Sequence, residues 1–308
     1  MDNPGTSVVE KKAGKLANLE SVLTSSFESS KSGIGHTRWA THGGPTDTNA
    51  HPHISNDGKL AVIHNGIIEN YVELKADLVK RGHTFTSETD TESVAHLLSD
   101  EFAQSKNLAA AMRAVCKQLR GSFTLLALHS DAPELIVGAR RNSPLVVGLG
   151  DGENFLASDV SAFISHTKNA LELGQDQVVA ATPNSVEVTD LDGRFIAAKR
   201  YEITWDAKAA ERGGFTHFML KEIFEQPKAV SDTLLGKFDV AGTISCEELS
   251  SLSSDIERIL ILACGTAYHA GLIGKYALED WAKIPVDVEL ASEFRYRKPV
   301  LSKNTLVI

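Results

Sequence analysis

The pattern of apolar and polar positions predicts a mixed α/β chain whose character changes twice along its length. Residues 33–39 and 59–64 alternate or run apolar as strands do, because successive side chains of a strand face opposite sides of the sheet. Each strand is predicted to end at a glycine-containing turn, the second at Asn65-Gly66. Polar chemistry is therefore expected at strand ends.

Three helices are predicted next, followed by a strand-rich stretch. The helices cover 67–80, a segment starting at a capping box of Thr89 and Glu92, and 108–119, where apolar residues recur at helical spacing. Beyond Gly121, short apolar runs separated by turn residues predict strands at 122–129, 134–139, 145–149, 177–181, 185–189 and 194–199. Helices followed by such strands indicate a layered sandwich of the α+β class.

A break in the periodicity at 205–214 predicts a linker, because charged residues and a Gly-Gly pair replace the apolar positions there. Helices are predicted near Pro227 and near Ser245. The order that follows is strand 259–263, a Gly265-Thr266 turn, helix 268–281, and strands at 286–290 and 305–308. This order fits a parallel α/β sheet with crossover helices, whose ligands gather at the carboxyl ends of the strands.

Composition narrows the function classes. The chain has 308 residues, of which 42% are hydrophobic and 23% charged, with a net charge of −9. The length favours two domains of about 100 to 200 residues, and the negative charge argues against a nucleic-acid or anionic-membrane partner. The apolar runs are far shorter than the roughly 20 residues of a membrane span, and residues 1–12 lack the apolar core of a signal peptide. We therefore expect a cytoplasmic protein.

The cysteines and histidines are candidate nucleophiles and metal ligands. The three cysteines are widely spaced, so neither a disulfide framework nor a cysteine-based zinc site is expected. Cys116 and Cys264 are expected to be packing residues, and Cys246 near a helix start is a weak candidate nucleophile. The histidines around His51-Pro52-His53 raise a zinc hypothesis, but no carboxylate or cysteine spacing completes a usual ligand set. We expect no metal and no cofactor.

Two polar residues of opposite charge suit the ends of an amino acid. Arg38 lies in the segment 35–43, where Trp39, Thr41 and His42 crowd a flexible turn, and an arginine there can hold a carboxylate through two parallel hydrogen bonds. Asp90 is either a helix-start acid favoured by the helix dipole or the partner of a substrate ammonium.

Asn65 and Gly66 are candidate catalytic residues. An Asn-Gly pair is common in ordinary turns. A side-chain amide and an unhindered glycine N–H can nevertheless converge on one oxygen, and losing such an oxyanion donor costs about 2.7 to 4 kcal/mol of transition-state stabilisation.

Taken together, the segments 35–43, 64–70 and 87–92 closely resemble the glutaminase domain of the glutamine–fructose-6-phosphate aminotransferase (isomerizing) family. The segment 217–227 is similar to the interdomain helix of that family, and 262–268 and 289–297 are similar to its sugar-isomerase (SIS) domain. The resemblance runs from residue 13 to residue 308. It implies an N-terminal-nucleophile-type layered sandwich followed by the start of an α/β sugar-isomerase domain, with domains at 1–204, 205–250 and 251–308.

The resemblance also implies an activity and partners. Family members convert L-glutamine and D-fructose 6-phosphate to L-glutamate and D-glucosamine 6-phosphate, the first step of amino-sugar synthesis, and a homodimer is expected of the parent protein. The implied roles are the substrate carboxylate and amine for Arg38 and Asp90, pocket shape for Thr41 and His42, the oxyanion hole for Asn65 and Gly66, the ammonia-channel gate for Trp39, and a sugar-phosphate contact for Thr266.

The sequence also departs from the family pattern. The family nucleophile is an N-terminal cysteine whose α-amino group serves as base, and Met1-Asp2-Asn3-Pro4 offers none. Ala267 stands where many relatives have serine, and most of the isomerase site is expected beyond Ile308. We therefore expect a fragment that is inactive by itself. Two alternatives stay open: a glutamine-sensing module without turnover, and another class II glutamine amidotransferase, against which the segments 262–268 and 292–297 argue.

Overall fold

The computed structural model describes residues 8–23, 30–204, 213–234, 237 and 255–308. The chain divides into two compact units, Met1–His217 and Phe218–Ile308. The helix predicted near Ser245, the candidate nucleophile Cys246 and residues 205–212 of the predicted linker lie outside the described residues. Within the described ranges, no helix combines the length and hydropathy that a membrane span needs.

The first unit contains two antiparallel sheets. The larger has six strands in the order β1-β2-β3-β4-β8-β9, which are β1 His53–Ile54, β2 Leu60–Ile68, β3 Gly121–His129, β4 Ile136–Arg141, β8 Gln177–Ala181 and β9 Val186–Asp190. The smaller has the order β10-β7-β5-β6, which are β10 Arg200–Glu202, β7 Asn169–Glu172, β5 Val146–Leu149 and β6 Asn154–Ala157.

Helices cover one face of the six-stranded sheet, and the second sheet covers the other. The covering helices are α2 Tyr71–Lys80, α3 Thr91–Ser105 and α4 Leu108–Gln118, whereas α1 Leu16–Glu20 has no buried residue. Val62 of β2 packs with Leu98 of α3 and Met112 of α4, whereas the next strand residue, Ile63, packs with Val147 of the second sheet. Alternate side chains of β2 leave opposite faces of the sheet. The strand therefore contributes to two hydrophobic cores. The predicted layered arrangement of helices and sheets is present.

The second unit contains a parallel sheet, as predicted. Its order is β12-β11-β13, with β11 Arg258–Ala263, β12 Val286–Leu290 and β13 Thr305–Val307. The helices are α5 Phe218–Leu234, which contains Pro227, α6 Gly265–Ala282 and α7 Ala291–Tyr296. The prediction of a separate turn at Gly265-Thr266 was wrong, because β11 leads through Cys264 directly into the first turn of α6.

Several predicted boundaries were wrong where pairing overrides local propensity. Residues 33–39 form no strand. Strand β2 does not end at Asn65-Gly66 but continues to Ile68, because Asn65 and Gly66 pair with Thr124 and Phe123 of β3. As a consequence α2 begins at residue 71 rather than 67.

The end of the strand-rich stretch also differs. Residues 194–199 contribute only an isolated bridge between Phe195 and Thr189, and the strand lies at 200–202 instead. Strands β1, β6 and β7 were missed, since they are only two to four residues long and too short for a periodic signal.

Candidate functional site

A cavity of about 310 Å³ lies in the first unit, where the segment 36–41 meets β2 and the start of α3. Six of the predicted site residues line it: Arg38, Trp39, Thr41, Asn65, Gly66 and Asp90. His42 does not line this cavity, and Thr266 belongs to the second unit. Residues widely separated in sequence are thus brought together by the fold.

Asp90 is the buried acid of this cavity. Its side chain is only 3% exposed. Oδ2 accepts the backbone N–H of Ile68 at 2.7 Å and lies 3.9 Å from Nδ1 of His64. Among the described residues, Oδ1 has only a long contact, 3.5 Å from the Thr91 hydroxyl. Asp90 is the residue that precedes α3, and its side chain makes no capping hydrogen bond to that helix. Its carboxylate instead joins the helix start to β2 and retains acceptor capacity.

Arg38 is anchored to the turn that follows it. Nη1 donates to the carbonyl of Gly44 at 3.1 Å, and Nη2 donates to the carbonyls of His42 and Gly43. These contacts use one of the two N–H groups of Nη1 and both of Nη2, so a two-point grip on a carboxylate, which needs Nη2 together with Nη1 or Nε, requires exchanging at least one carbonyl. Nε–H forms no hydrogen bond among the described residues. Arg38 therefore both shapes the turn and presents a positive charge to the cavity.

Asn49 joins the same turn to the segment 87–92. Its Nδ2 donates to the carbonyl of Gly44 and to the carboxylate of Glu88, both at 3.1 Å, and its Oδ1 accepts the N–H of Glu88 at 3.0 Å. Gly43 has a positive φ of 75°, and a Cβ there would lie 2.6 Å from Asn49 Nδ2. The sequence did not predict a role for Asn49, because nothing in its local pattern marks it.

The other residues of the 38–42 segment differ in placement. Trp39 is 91% exposed and lies at the edge of the cavity. Thr41 is exposed and lines it. His42 turns its ring against Tyr71, with centroids 4.8 Å apart in an edge-on arrangement. The structure thus assigns His42 to the support of the turn, through its ring and its carbonyl, rather than to the cavity lining.

Asn65 and Gly66 lie within β2 at the cavity. Asn65 Oδ1 lies 2.7 Å from Nε2 of His36. Gly66 has a φ of +126°, and a Cβ there would lie 2.1 Å from the carbonyl oxygen of Ser122 on β3. Only glycine fits this position, since a side chain would meet backbone that cannot move.

A buried polar network lies beneath the cavity. The hydroxyl of Thr91 contacts Nε2 of His51 at 3.1 Å and Nδ1 of His64 at 3.0 Å. The ring of His51 packs on that of His36 with centroids 4.2 Å apart. A hydroxyl can donate to one imidazole and accept from the other, which suits neutral rings, although Nδ1 of His51 is buried without a hydrogen-bond partner in the described structure.

Burial keeps these histidines neutral. Burial lowers the pKa of His64 to about 4, against the attraction of Asp90, and burial together with nearby Lys11 lowers the pKa of His53 to about 3. The pKa values of His36 and His51 are also lowered by burial. Nearly neutral imidazoles leave Asp90 as the charged group of the cavity floor.

Glu92 fixes the segment before α3. It is 3% exposed, and its carboxylate accepts N–H and O–H bonds from Thr86 at 2.8 and 3.0 Å and from Ser87 at 2.7 and 2.6 Å. Burial opposes its ionisation, but the His96 imidazole, whose Nε2 lies 3.8 Å away, and the hydrogen bonds from Ser87 and Thr86 prevail and lower its pKa. The predicted capping box is thus shifted: Glu92 reaches back to residues 86 and 87 rather than to Thr89.

Neither described cysteine lines the cavity. Cys116 is buried in the core, and burial raises the pKa of its thiol to about 12. Cys264 is exposed at the start of α6, next to Thr266, which is also exposed. Over the part of the chain that is described, no cluster of three histidine, cysteine or acidic side chains is arranged to hold a metal ion.

Two family models and several curated proteins match this chain. The family model of the glutamine amidotransferase domain matches residues 36–165, and that of the SIS domain matches residues 253–308. Glutamine–fructose-6-phosphate aminotransferase [isomerizing] of Streptomyces coelicolor is 58% identical over 97% of this chain and 49% of that protein. The protein of that name from Corynebacterium diphtheriae is 53% identical over 100% of this chain and 51% of that protein.

By sequence, the chain is similar over nearly its whole length to proteins named as this aminotransferase. It spans about half the length of the curated relatives that it matches. Among solved structures, the C-terminal domain of glucosamine-fructose-6-phosphate aminotransferase from Francisella tularensis is 45% identical, covering 32% of this chain and 27% of that chain at a TM-score of 0.29.

Proposed function

We propose that the first unit binds L-glutamine in the 310 Å³ cavity as part of a cytoplasmic, homodimeric enzyme that converts L-glutamine and D-fructose 6-phosphate to L-glutamate and D-glucosamine 6-phosphate. The observation that carries the proposal is that Arg38 and Asp90, from two distant segments, line one cavity. A zwitterionic amino acid needs one cationic and one anionic partner, and charge-assisted hydrogen bonds of this kind are the strong ones.

Each predicted residue receives a role in this proposal. Asp90 binds the α-ammonium, Arg38 the α-carboxylate, and Thr41 completes the pocket, with His42 supporting its turn. Asn65 and Gly66 donate to the side-chain carbonyl oxygen of glutamine, where negative charge develops on attack. Trp39, exposed at the cavity edge, gates the path of ammonia.

The second unit carries the sugar half of the proposal. Its SIS match and parallel sheet support the start of a sugar-isomerase domain, in which the exposed Thr266 at the first turn of α6 contacts the sugar phosphate. Hydroxyls and N–H groups at a helix start suit an anion. We place the domains at 1–204, 205–250 and 251–308, the first of the N-terminal-nucleophile type.

Calorimetry with three related ligands tests the glutamine site. L-Glutamine should bind one per chain, whereas glutaramic acid, which lacks the α-ammonium, and D-glutamine, which misplaces it, should bind at least about tenfold more weakly, because each loses the charged contact to Asp90. Equal dissociation constants for L-glutamine and glutaramic acid, or no binding heat for L-glutamine, would overturn the proposal.

One observation favours a second candidate, glutamine binding without turnover. Neither cysteine in the described ranges lines the cavity, so no thiol there can attack the bound amide. An assay of ammonia release on the same samples tests the second candidate: ammonia release would exclude it, whereas binding without release is expected both of the sensing module and of a fragment that is inactive by itself.

A further inference from the structure

The geometry points to His36 as a positioning residue that sets which end of the Asn65 amide faces the bound substrate. This inference rests on the proposed function, because it concerns the donors to the glutamine carbonyl. Asn65 Oδ1 lies 2.7 Å from Nε2 of His36. Nδ2 of Asn65 forms no hydrogen bond among the described residues, so it is the end of the amide left for a ligand.

The distinction matters because an asparagine amide has two ends of opposite character. Oδ1 only accepts hydrogen bonds, and Nδ2 only donates them. A developing oxyanion is stabilised by donors and repelled by an acceptor. If Asn65 presented Oδ1 to the ligand, the cavity would oppose the carbonyl it is proposed to bind.

His36 can enforce the productive orientation only in one tautomer. With the proton on Nε2, the ring donates to Oδ1 and leaves Nδ2 for the ligand. With the proton on Nδ1, Nε2 becomes an acceptor, and Asn65 turns Nδ2 toward the histidine. Nδ1 of His36 is buried without a hydrogen-bond partner in the described structure, which favours the Nε2–H tautomer, because a proton is held best where it has an acceptor.

The ring of His36 is in turn held by its neighbours. It packs on His51 with centroids 4.2 Å apart, and His51 is fixed by the hydroxyl of Thr91 at 3.1 Å. Burial lowers the pKa of His36, with the Asn65 hydrogen bond and the backbone of His64 acting in the opposite sense. A neutral ring that packs on His51 and keeps one tautomer is a fixed reference for the amide. His36 acts through Asn65 and needs no contact with the substrate.

A matched pair of ligands separates this role from a structural one. L-Norvaline keeps the α-ammonium and α-carboxylate of L-glutamine but lacks the side-chain amide. We expect His36→Ala to weaken glutamine binding by about three- to tenfold, the loss of one hydrogen bond, and to leave norvaline binding unchanged. Equal weakening of both ligands would show that His36 only supports the cavity. His166→Ala, at a half-exposed histidine, is the control.

Two further variants test the link to Asn65. His36→Gln keeps an N–H donor for Oδ1 and should restore most of the glutamine preference. The double variant His36→Ala/Asn65→Ala should bind glutamine no more weakly than Asn65→Ala alone, because residues acting through one contact are not additive. Additive losses would overturn the proposal.

The tautomer itself can be read without a ligand. Long-range proton–nitrogen NMR spectra should show His36 neutral and protonated at Nε2, and a ring protonated at Nδ1 would overturn the proposal whether or not glutamine binds. Absence of binding by both glutamine and norvaline, with the Nε2–H tautomer intact, would instead count against the glutamine site while leaving the orientation of Asn65 established.

Discussion

The carboxylate of Asp90 accepts the backbone N–H of Ile68 at 2.7 Å. This contact ties the start of α3 to the end of β2 and places the acid beside Asn65 and Gly66 in one cavity. A single buried side chain therefore holds two segments together and supplies the charge of the proposed site, and the two roles respond differently to substitution.

Asp90→Asn should weaken L-glutamine binding by about ten- to hundredfold, the range expected for loss of a hydrogen bond to a charged group. The melting temperature should change little, because the amide oxygen of asparagine can still accept from Ile68. Calorimetry and thermal melting measure both quantities. Asp77→Asn, at an exposed acid paired with Arg81 on α2, is the control, and an unchanged dissociation constant for Asp90→Asn would contradict the assigned role.

Gly66→Ala should destabilise the first unit more than Gly82→Ala. Both glycines have a positive φ, +126° and +98°, but the added Cβ meets the Ser122 carbonyl at 2.1 Å in one case and open space in the other. Backbone strain costs about 1 to 3 kcal/mol at each site. The backbone collision adds to it at Gly66. Urea unfolding measures the difference, and similar losses for the two variants would show that β2 can move away from β3.

Glu92→Gln should lower the free energy of unfolding by about 2 to 4 kcal/mol at pH 7, because the Nε2 of glutamine would face N–H and O–H donors of Thr86 or Ser87. The lowered pKa of Glu92 stabilises the fold above the ordinary carboxyl pKa of about 4.3, and this contribution is lost as the pH falls below that value. Urea unfolding at pH 7 and near pH 3.5 should show a smaller pH effect in the variant.

The exposed Glu73 of α2 provides the control for that measurement. Glu73→Gln should leave the stability nearly unchanged, because this exposed carboxylate makes no hydrogen bond or ion pair among the described residues. If the free energy of unfolding of Glu92→Gln fell between pH 7 and pH 3.5 as much as that of the wild type, Glu92 would not be a source of the acid sensitivity.

The buried histidines predict a second pH effect in a different window. The pKa of His64 is lowered to about 4 and that of His53 to about 3, so the unfolded chain binds their protons first. Their contribution is complete above pH ~6.5 and declines as the pH falls toward the folded values, by about 3 kcal/mol for His64. NMR titration should show neither ring titrating between pH 8 and 5.5, and an inflection near pH 6.5 would contradict their burial.

The order of layers and many of the helices and strands followed from the sequence alone. The continuous apolar run of β2 and the apolar residues at helical spacing in α3 and α4 are local signals, because a strand between two layers buries both faces and a helix buries one stripe. The strands Gln177–Ala181 and Val186–Asp190 and the βαβ order of the second unit were found in this way. Arg38 and Asp90 were identified as candidates because a charged side chain next to an apolar run or a flexible turn needs a partner of opposite charge.

Only the tertiary structure decided how those residues are used. The extension of β2 through Gly66 depends on pairing with Phe123, a residue 57 positions away. The local statistics of Asn-Gly turns cannot predict a pairing with so distant a residue. His36, Asn49 and Thr91 acquire their roles from contacts across 29 to 40 positions. The sequence determined which segments are apolar and which side chains are available, and long-range packing determined which of them face one another, because contact energies depend on distance in space rather than along the chain.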